Sequence, residues 1–193
     1  AREKIVEKLA SKGLVEKIED YTHNIATAER TSGVIEPQIM KQWFVAVNKE
    51  FNHFGTTTTL KQRMRKAVES KETSILPDRF EKVYFHWIDN LRDWCISRQI
   101  WYGHRIPVWY RGDEIFVGVS APQGEGWAQD EDTLDTWFSS ALWTFSTLGW
   151  PDNIGPDSDF AKYHPTDILV TGHEILFFWV ARMILMTGYG LGT

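Results

Sequence analysis

The sequence predicts an α/β fold: part of a parallel sheet carrying helices, with a β-hairpin and an N-terminal appendage. Three observations predict it. The apolar run Ile168-Leu169-Val170-Thr171-Gly172 leads directly into a mostly apolar helical stretch, His173 to Tyr189. A buried strand feeding a buried helix is the unit of a parallel sheet. Phe80, Val83, Tyr84, Trp87, Leu91 and Trp94 recur at three- and four-residue spacing, the signature of an amphipathic helix. Ile106 to Tyr110 and Glu114 to Val119 alternate apolar and polar residues around Arg111-Gly112-Asp113, which is the pattern of a hairpin.

The other elements follow in chain order. Residues 1–12 form an amphipathic helix with Ile5, Val6, Leu9 and Ala10 on one face and Gly13 as its stop. Leu14 to Tyr21 reads as a strand, 22–33 as polar turns, and Val34 to Val47 as strand-rich. The run Thr56 to Thr59 caps a basic helix over about 60–70. Pro77 opens the long helix that runs through Trp94. Residues 120–132 form an acidic loop, and Asp132 caps a helix from Thr133 to Leu148. Residues 151–165, with three prolines, are an irregular loop. Ile168 to Met186 has the length of a membrane span, but Thr171-Gly172 breaks it and His173, Glu174 and Arg182 lie inside it. Charges at that depth cost several kcal/mol, so a membrane span is excluded.

The length of 193 residues suits one domain plus an appendage. Hydrophobic residues at 42% and charged residues at 24% describe a globular chain rather than a disordered one. Ten Trp imply a large core or an aromatic-lined pocket. The single Cys95 excludes an internal disulfide and any site built from several cysteines, and fits a reducing cytoplasm. The net charge of -5 excludes a globally basic nucleic-acid binder. Its distribution is uneven: residues 56–111 net +5 and residues 112–170 net -10. The basic stretch could meet a polyanion, or the two could be solvated faces of opposite sign. The start, Ala1-Arg2-Glu3-Lys4, carries no signal peptide, and both ends read as cuts through a longer protein. No nucleophile triad, P-loop, dinucleotide fingerprint or HExxH is present, and the six histidines lack ligand spacing, so no metal is expected.

Three segments could carry chemistry. Asp93 to Pro107 closes a helix and enters a strand. Arg98, Gln99, His104 and Arg105 could grip a phosphate or base, and Trp101 or Tyr102 could stack on one; alternatively this is a packed corner. In Asp132 to Trp143, Trp137 points inward, as a core residue or as a pocket wall. In Thr171 to Trp179, a strand ends at a tight turn and a helix starts, where an open α/β sheet binds ligands. Glu174 could simply complement the helix dipole. Ile175 and Trp179, four apart, share a helical face beside it, and a carboxylate between apolar walls suits a small apolar ligand with an ammonium group.

Taken together, the segments Ile35-Glu36-Pro37, Lys41-Gln42-Trp43-Phe44-Val45, Phe80 to Trp87, Trp94 to Pro107, Asp130 to Pro151 and Thr171 to Met183 resemble the valyl-tRNA synthetases, a class I aminoacyl-tRNA synthetase family. They occur in the family's order and span nearly the whole chain. Isoleucyl enzymes have a similar Trp-Ile-Ser-Arg-Gln stretch, where this chain has Trp94-Cys95-Ile96-Ser97-Arg98-Gln99, and a similar Asp-x-Trp-Phe element. They differ at Gly103-His104-Arg105-Ile106-Pro107 and at Ser139-Ser140-Ala141.

The resemblance implies a Rossmann-like catalytic domain. Residues 1–40 would be the C-terminal part of the editing insertion with its return linker. Residues 41–193 would be the second part of the catalytic domain, stopping before the second ATP signature. It implies a monomeric cytoplasmic enzyme that activates valine with ATP and Mg²⁺ and transfers it to tRNA(Val). Trp137, Ile175 and Trp179 would wall the valine pocket and Glu174 would hold the α-ammonium. Arg98, Gln99, Trp101 and His104 would be weaker contacts to the tRNA end or nucleotide. Two departures matter. Many relatives carry Cys-x-x-Cys where this chain has Ala28 and Thr31, so no zinc is expected there. Relatives commonly carry Tyr-Asp or Phe-Asp where this chain has His173-Glu174, which keeps the carboxylate and adds a methylene. The family's two ATP-binding signatures are absent from these 193 residues, so the isolated chain is expected to be inactive. A non-catalytic binding module for tRNA or protein, or an isoleucyl-type fragment, is the competing reading.

Overall fold

The computed structural model describes residues 2–29 and 31–192. The chain divides into two compact units, Ala1–Met40 and Lys41–Thr193.

In the first unit, α1 spans Arg2–Ala10. It ends where Gly13, at φ 67°, turns the backbone so that its N–H reaches Ala10 O and the Leu14 N–H reaches Leu9 O, a glycine-dependent helix stop. The strand expected over Leu14 to Tyr21 does not form. Leu14, Ile18 and Tyr21 are exposed, and no strand among the described residues pairs with this segment. An alternating pattern becomes a strand only when a neighbour satisfies its backbone. The turn expected before residue 34 is present. Thr27 bridges Val34, Ala28 N–H donates to Gly33 O, and Gly33 N–H reaches Thr31 Oγ1.

The second unit is built on three helices. α2, Leu60–Glu69, buries Leu60, Met64 and Val68 at four-residue intervals. Its start is a reciprocal capping box: Gln62 N–H donates to Thr59 Oγ1 at 3.0 Å and Thr59 N–H donates to Gln62 Oε1 at 2.9 Å. α3, Arg79–Asp89, contributes Tyr84 and Ile88. α7, Ala181–Gly190, contributes Ala181 and Leu185. Together with Val47, Ile75 and Leu176 they make one core. Tyr84 is fully buried, and its hydroxyl donates to Met64 O at 2.9 Å.

α3 stops at Asp89 rather than running to Trp94. Asn90 N–H and Nδ2 both turn back to His86 O. Trp94–Cys95 instead forms β4, antiparallel to β1, Phe44–Val45. Asp93 accepts the Val47 N–H, and the Trp94 indole reaches Asp135. Tertiary partners thus overrule the helical spacing. A hairpin of β2, Phe51–His53, and β3, Thr56–Thr58, precedes α2.

β5, Ser97–Arg98, pairs with β9, Thr133–Leu134. The hairpin expected from sequence is β6, Val108–Arg111, with β7, Glu114–Val117, and β8, Ala128–Gln129, adds to its other edge. The helix expected over Thr133 to Leu148 is shortened and divided. α4 is Thr136–Ser140 and α5 is Trp143–Ser146. Thr133 and Leu134 are taken by β5, so the cap is Asp135, not Asp132. A short α6, Asp159–Tyr163, punctuates the loop over 151–165.

Every strand pairing among the described residues is antiparallel. The architecture is a mixed α/β one, without the parallel sheet expected from sequence. The segment expected as its buried strand is unpaired, with Ile168 and Val170 exposed. The helix after it is one continuous helical path with three registers: a 3-10 turn at His173–Ile175, a π turn at Leu176–Val180, then α7. No helix among the described residues is long and apolar enough to cross a membrane.

Candidate functional site

Asp135 is the organising residue, and sequence reading missed it. It sits between β9 and α4 with its side chain 8% exposed. One carboxylate oxygen takes Arg98 Nη2 at 2.7 Å and the Trp94 indole N–H at 3.2 Å; the other takes the Trp137 backbone N–H at 3.1 Å. Its own N–H donates to Ile96 O. One buried acid therefore ties two β segments to the first residue of α4 after Thr136. Its signal was available: Asp135 lies two residues before Trp137, the spacing of an N-cap.

The Trp137 ring is held from the neighbouring helical path. It stacks on Phe178 at 5.7 Å and 19°. Arg182 lies over Trp94 at 4.3 Å, over Phe178 at 5.6 Å and over Trp137 at 5.9 Å from the ring centres. Burial pulls the Arg182 guanidinium below its ordinary pKa; the Asp135 carboxylate pushes it back up and Arg98 lowers it again.

Trp179 donates from its indole to Ser140 O, the last residue of α4, at 3.0 Å, and meets Trp143 edge-on. α4 thus begins with Trp137 stacked on Phe178 and ends under Trp179. Ile175, in the 3-10 turn, is half-buried. Glu174 is exposed, its carboxylate folded against Gly172 and 3.5 Å from His173 Nδ1. A side chain at position 172 would meet that carboxylate, the exposed end of a flexible chain that can turn aside. The His173 ring stacks on Phe80 of α3 at 5.4 Å.

The second group of sequence candidates is split. Arg98 is committed to Asp135 and to the Cys95 and Ser97 carbonyls. Gln99 donates to Asp132 at 2.7 Å and to Gln42. Trp101 and His104 are exposed, Trp101 at 94%. Arg105 holds the Asp130 and Gln129 carbonyls. Asp130 is a further organiser, taking the Trp43 indole N–H at 2.9 Å, Tyr110 OH at 2.7 Å and Asp132 N–H at 2.9 Å. Burial alone raises its pKa; those bonds and Arg105 outweigh that and leave it lowered. Among the described residues no three His, Cys, Asp or Glu side chains converge as a metal donor set.

The sequence matches the family of class I tRNA synthetases (I, L, M and V) over residues 2–125 and 120–190. Among curated proteins, the valine–tRNA ligase of Thermotoga maritima is 51% identical over 197 residues, 98% of this chain and 21% of that protein. The Bacillus subtilis valine–tRNA ligase is 50% identical over 186 residues, 95% of the chain and 20% of that protein. That of Protochlamydia amoebophila is 47% identical over 201 residues, 99% of the chain and 20% of that protein. The chain thus spans about a fifth of the length of these relatives.

Proposed function

The chain belongs to the class I tRNA synthetases of the I, L, M and V group, and from that membership we propose that it is a segment of a valine–tRNA ligase. In that reaction the valine carboxylate attacks the α-phosphate of ATP and pyrophosphate leaves. A hydroxyl of the terminal tRNA ribose then attacks the acyl carbon and releases AMP. The parent acts with Mg²⁺ as a cytoplasmic monomer. No metal donor set converges among the described residues, so no step is assigned to Mg²⁺ in this chain.

The chain's own task is to bind and orient valine. Trp137, Ile175 and Trp179 form apolar walls and Glu174 holds the α-ammonium. The observation that carries this reading is the clamping of both indoles around one short helix: Trp137 stacks on Phe178, and Trp179 is bonded to Ser140 O. Fixed rings suit a pocket wall, and an apolar pocket discriminates one methylene by only about 1–3 kcal/mol, so rigidity matters. Glu174 is exposed, and among the described residues its ion-pair contact is with His173, which leaves it available to an ammonium group.

Trp101 and His104, both facing solvent, are assigned to contact with the tRNA end. Arg98 and Gln99 serve that contact by holding the strand before it. Residues 1–40 are assigned to the end of the editing insertion and its return linker, and 41–193 to the second part of the Rossmann-like catalytic domain. The unpaired, exposed Ile168 and Val170 suit a strand completed by segments of the parent outside these residues.

The test is amino-acid-dependent exchange of labelled pyrophosphate into ATP by the full-length parent. Valine is expected to drive it well above isoleucine and above a blank. Exchange driven chiefly by isoleucine, or none at all, would sink the reading in favour of an isoleucyl-type enzyme or a binding module. In Glu174→Gln the loss of a charge-assisted bond of about 1.5–3 kcal/mol should lower kcat/KM for valine by about ten- to a hundredfold. Unchanged kcat/KM would return Glu174 to a helix-end charge.

A further inference from the structure

We propose that Arg182 is a positioning residue that sets the place of the Trp137 ring, and with it the width of the valine pocket. This rests on the reading of Trp137 as a pocket wall.

Arg182 is a costly residue where it stands. It is half-buried, and among the described residues no carboxylate lies within ion-pair distance of it. Its direct neighbours are three ring faces and a carbonyl: Trp94, Phe178 and Trp137, with Nη1 donating to Phe178 O at 3.0 Å. A methionine or leucine would fill similar space without desolvating a charge. A guanidinium adds a flat, charged plate, and ring faces align against it as they do not against an alkyl chain.

Two further observations give the plate a task. Phe178, the ring that stacks on Trp137, is also the residue whose carbonyl Arg182 holds, so plate and stack are one unit. The plate also borders a cleft of about 280 Å³ whose lining includes Val47, Met64, Trp94, Arg98, Arg182 and Leu185, so packing does not close it in on that side. Asp135 anchors the backbone at Trp137 and the indole of Trp94, which leaves the Trp137 ring itself to be fixed by Phe178 and Arg182. Without the plate the Trp137 ring loses one of these two contacts and can shift, and the pocket widens.

The test uses the full-length parent with Arg182→Met and Arg182→Lys, and measures pyrophosphate exchange with valine and with isoleucine, one methylene larger. The methionine variant is expected to raise the isoleucine-to-valine ratio of kcat/KM by about tenfold, since one methylene is the whole basis of discrimination in such a pocket. Most of the change should appear in KM. Lysine keeps the charge but lacks the plane, so it too should raise the ratio. If the methionine variant does not fold, the lysine variant alone decides. Equal loss for both amino acids, or an unchanged ratio in the folded variants, overturns the assignment and leaves Arg182 a stabilising residue only. A wild-type enzyme that does not exchange with valine overturns the pocket reading itself and Arg182 with it.

Discussion

The core of α2, α3 and α7 and the ring cluster around Asp135 are built on opposite principles. The core is apolar throughout, with Met64, Val68, Tyr84 and Ile88 at 1% exposure or less. Its one polar group, the Tyr84 hydroxyl, spends itself on a carbonyl, and burial drives that phenol's pKa well above the ordinary value. The Asp135 cluster is built instead from charges, indole N–H groups and ring faces. Apolar packing is non-directional and yields free energy in proportion to area. Hydrogen bonds and ring faces yield less net energy but fix orientation. The contrast is between a region that keeps the unit folded and one that keeps a few side chains aligned.

The largest expected effect tests the first half of that contrast. Leu185→Ala in the core should cost about 2–5 kcal/mol in chemical denaturation. A cost below about 1 kcal/mol would mean the site collapses around the gap and the core is not close-packed. Asp135→Ala comes next: it strands the Trp94 and Trp137 N–H donors and should cost about 1–3 kcal/mol. The contrast is sharpened if its effect on valine kcat/KM exceeds that of Leu185→Ala, and broken if the order is reversed. Tyr84→Phe and Thr59→Ala should each cost about 1 kcal/mol, one by losing a buried hydroxyl bond and the other a capping box. A pH effect is smaller still. The Asp130 carboxyl is lowered in the folded chain, so its stabilising share is complete above the unfolded value near 3.8 and is lost as pH falls through the folded one. Acid titration of Asp130→Asn should lack that part of the decline. Trp101→Ala should leave stability within about 0.5 kcal/mol, since the ring is exposed; a larger loss would show that it packs.

Much of the core was legible because its pattern is local. The run Thr56 to Thr59 marks a cap and the basic stretch after it a helix, so α2 was read almost to its ends. The hairpin around Gly112 was equally plain. The candidate site's residues were named by resemblance, and nothing in the sequence showed their wiring. Nothing within ten residues of Trp94 reveals that its indole is claimed by Asp135, 41 positions away, and so α3 was drawn too long. The same long-range pairing of Ser97 and Arg98 with Thr133 and Leu134 removed the first two residues of the expected helix and moved its cap from Asp132 to Asp135. The strand at Ile168 to Gly172 was read from its own apolar side chains, but a strand is a property of two segments, and none of the described residues pairs with this one.

The π turn at Leu176–Val180 is in effect a helix with one residue too many. An i→i+5 turn spends about one residue more than an α turn to cover nearly the same angle. The extra residue is absorbed within 176–180, so Glu174 and Ile175 stand at about the angle that a regular helix one residue shorter would give them. A single deletion inside 176–180 removes the bulge and leaves the two ends in phase, whereas a single deletion inside the regular α7 would swing everything before it by about 100° around the axis. The stretch thus works as slack in the helix: its length can change by one at 176–180 far more freely than at 181–190.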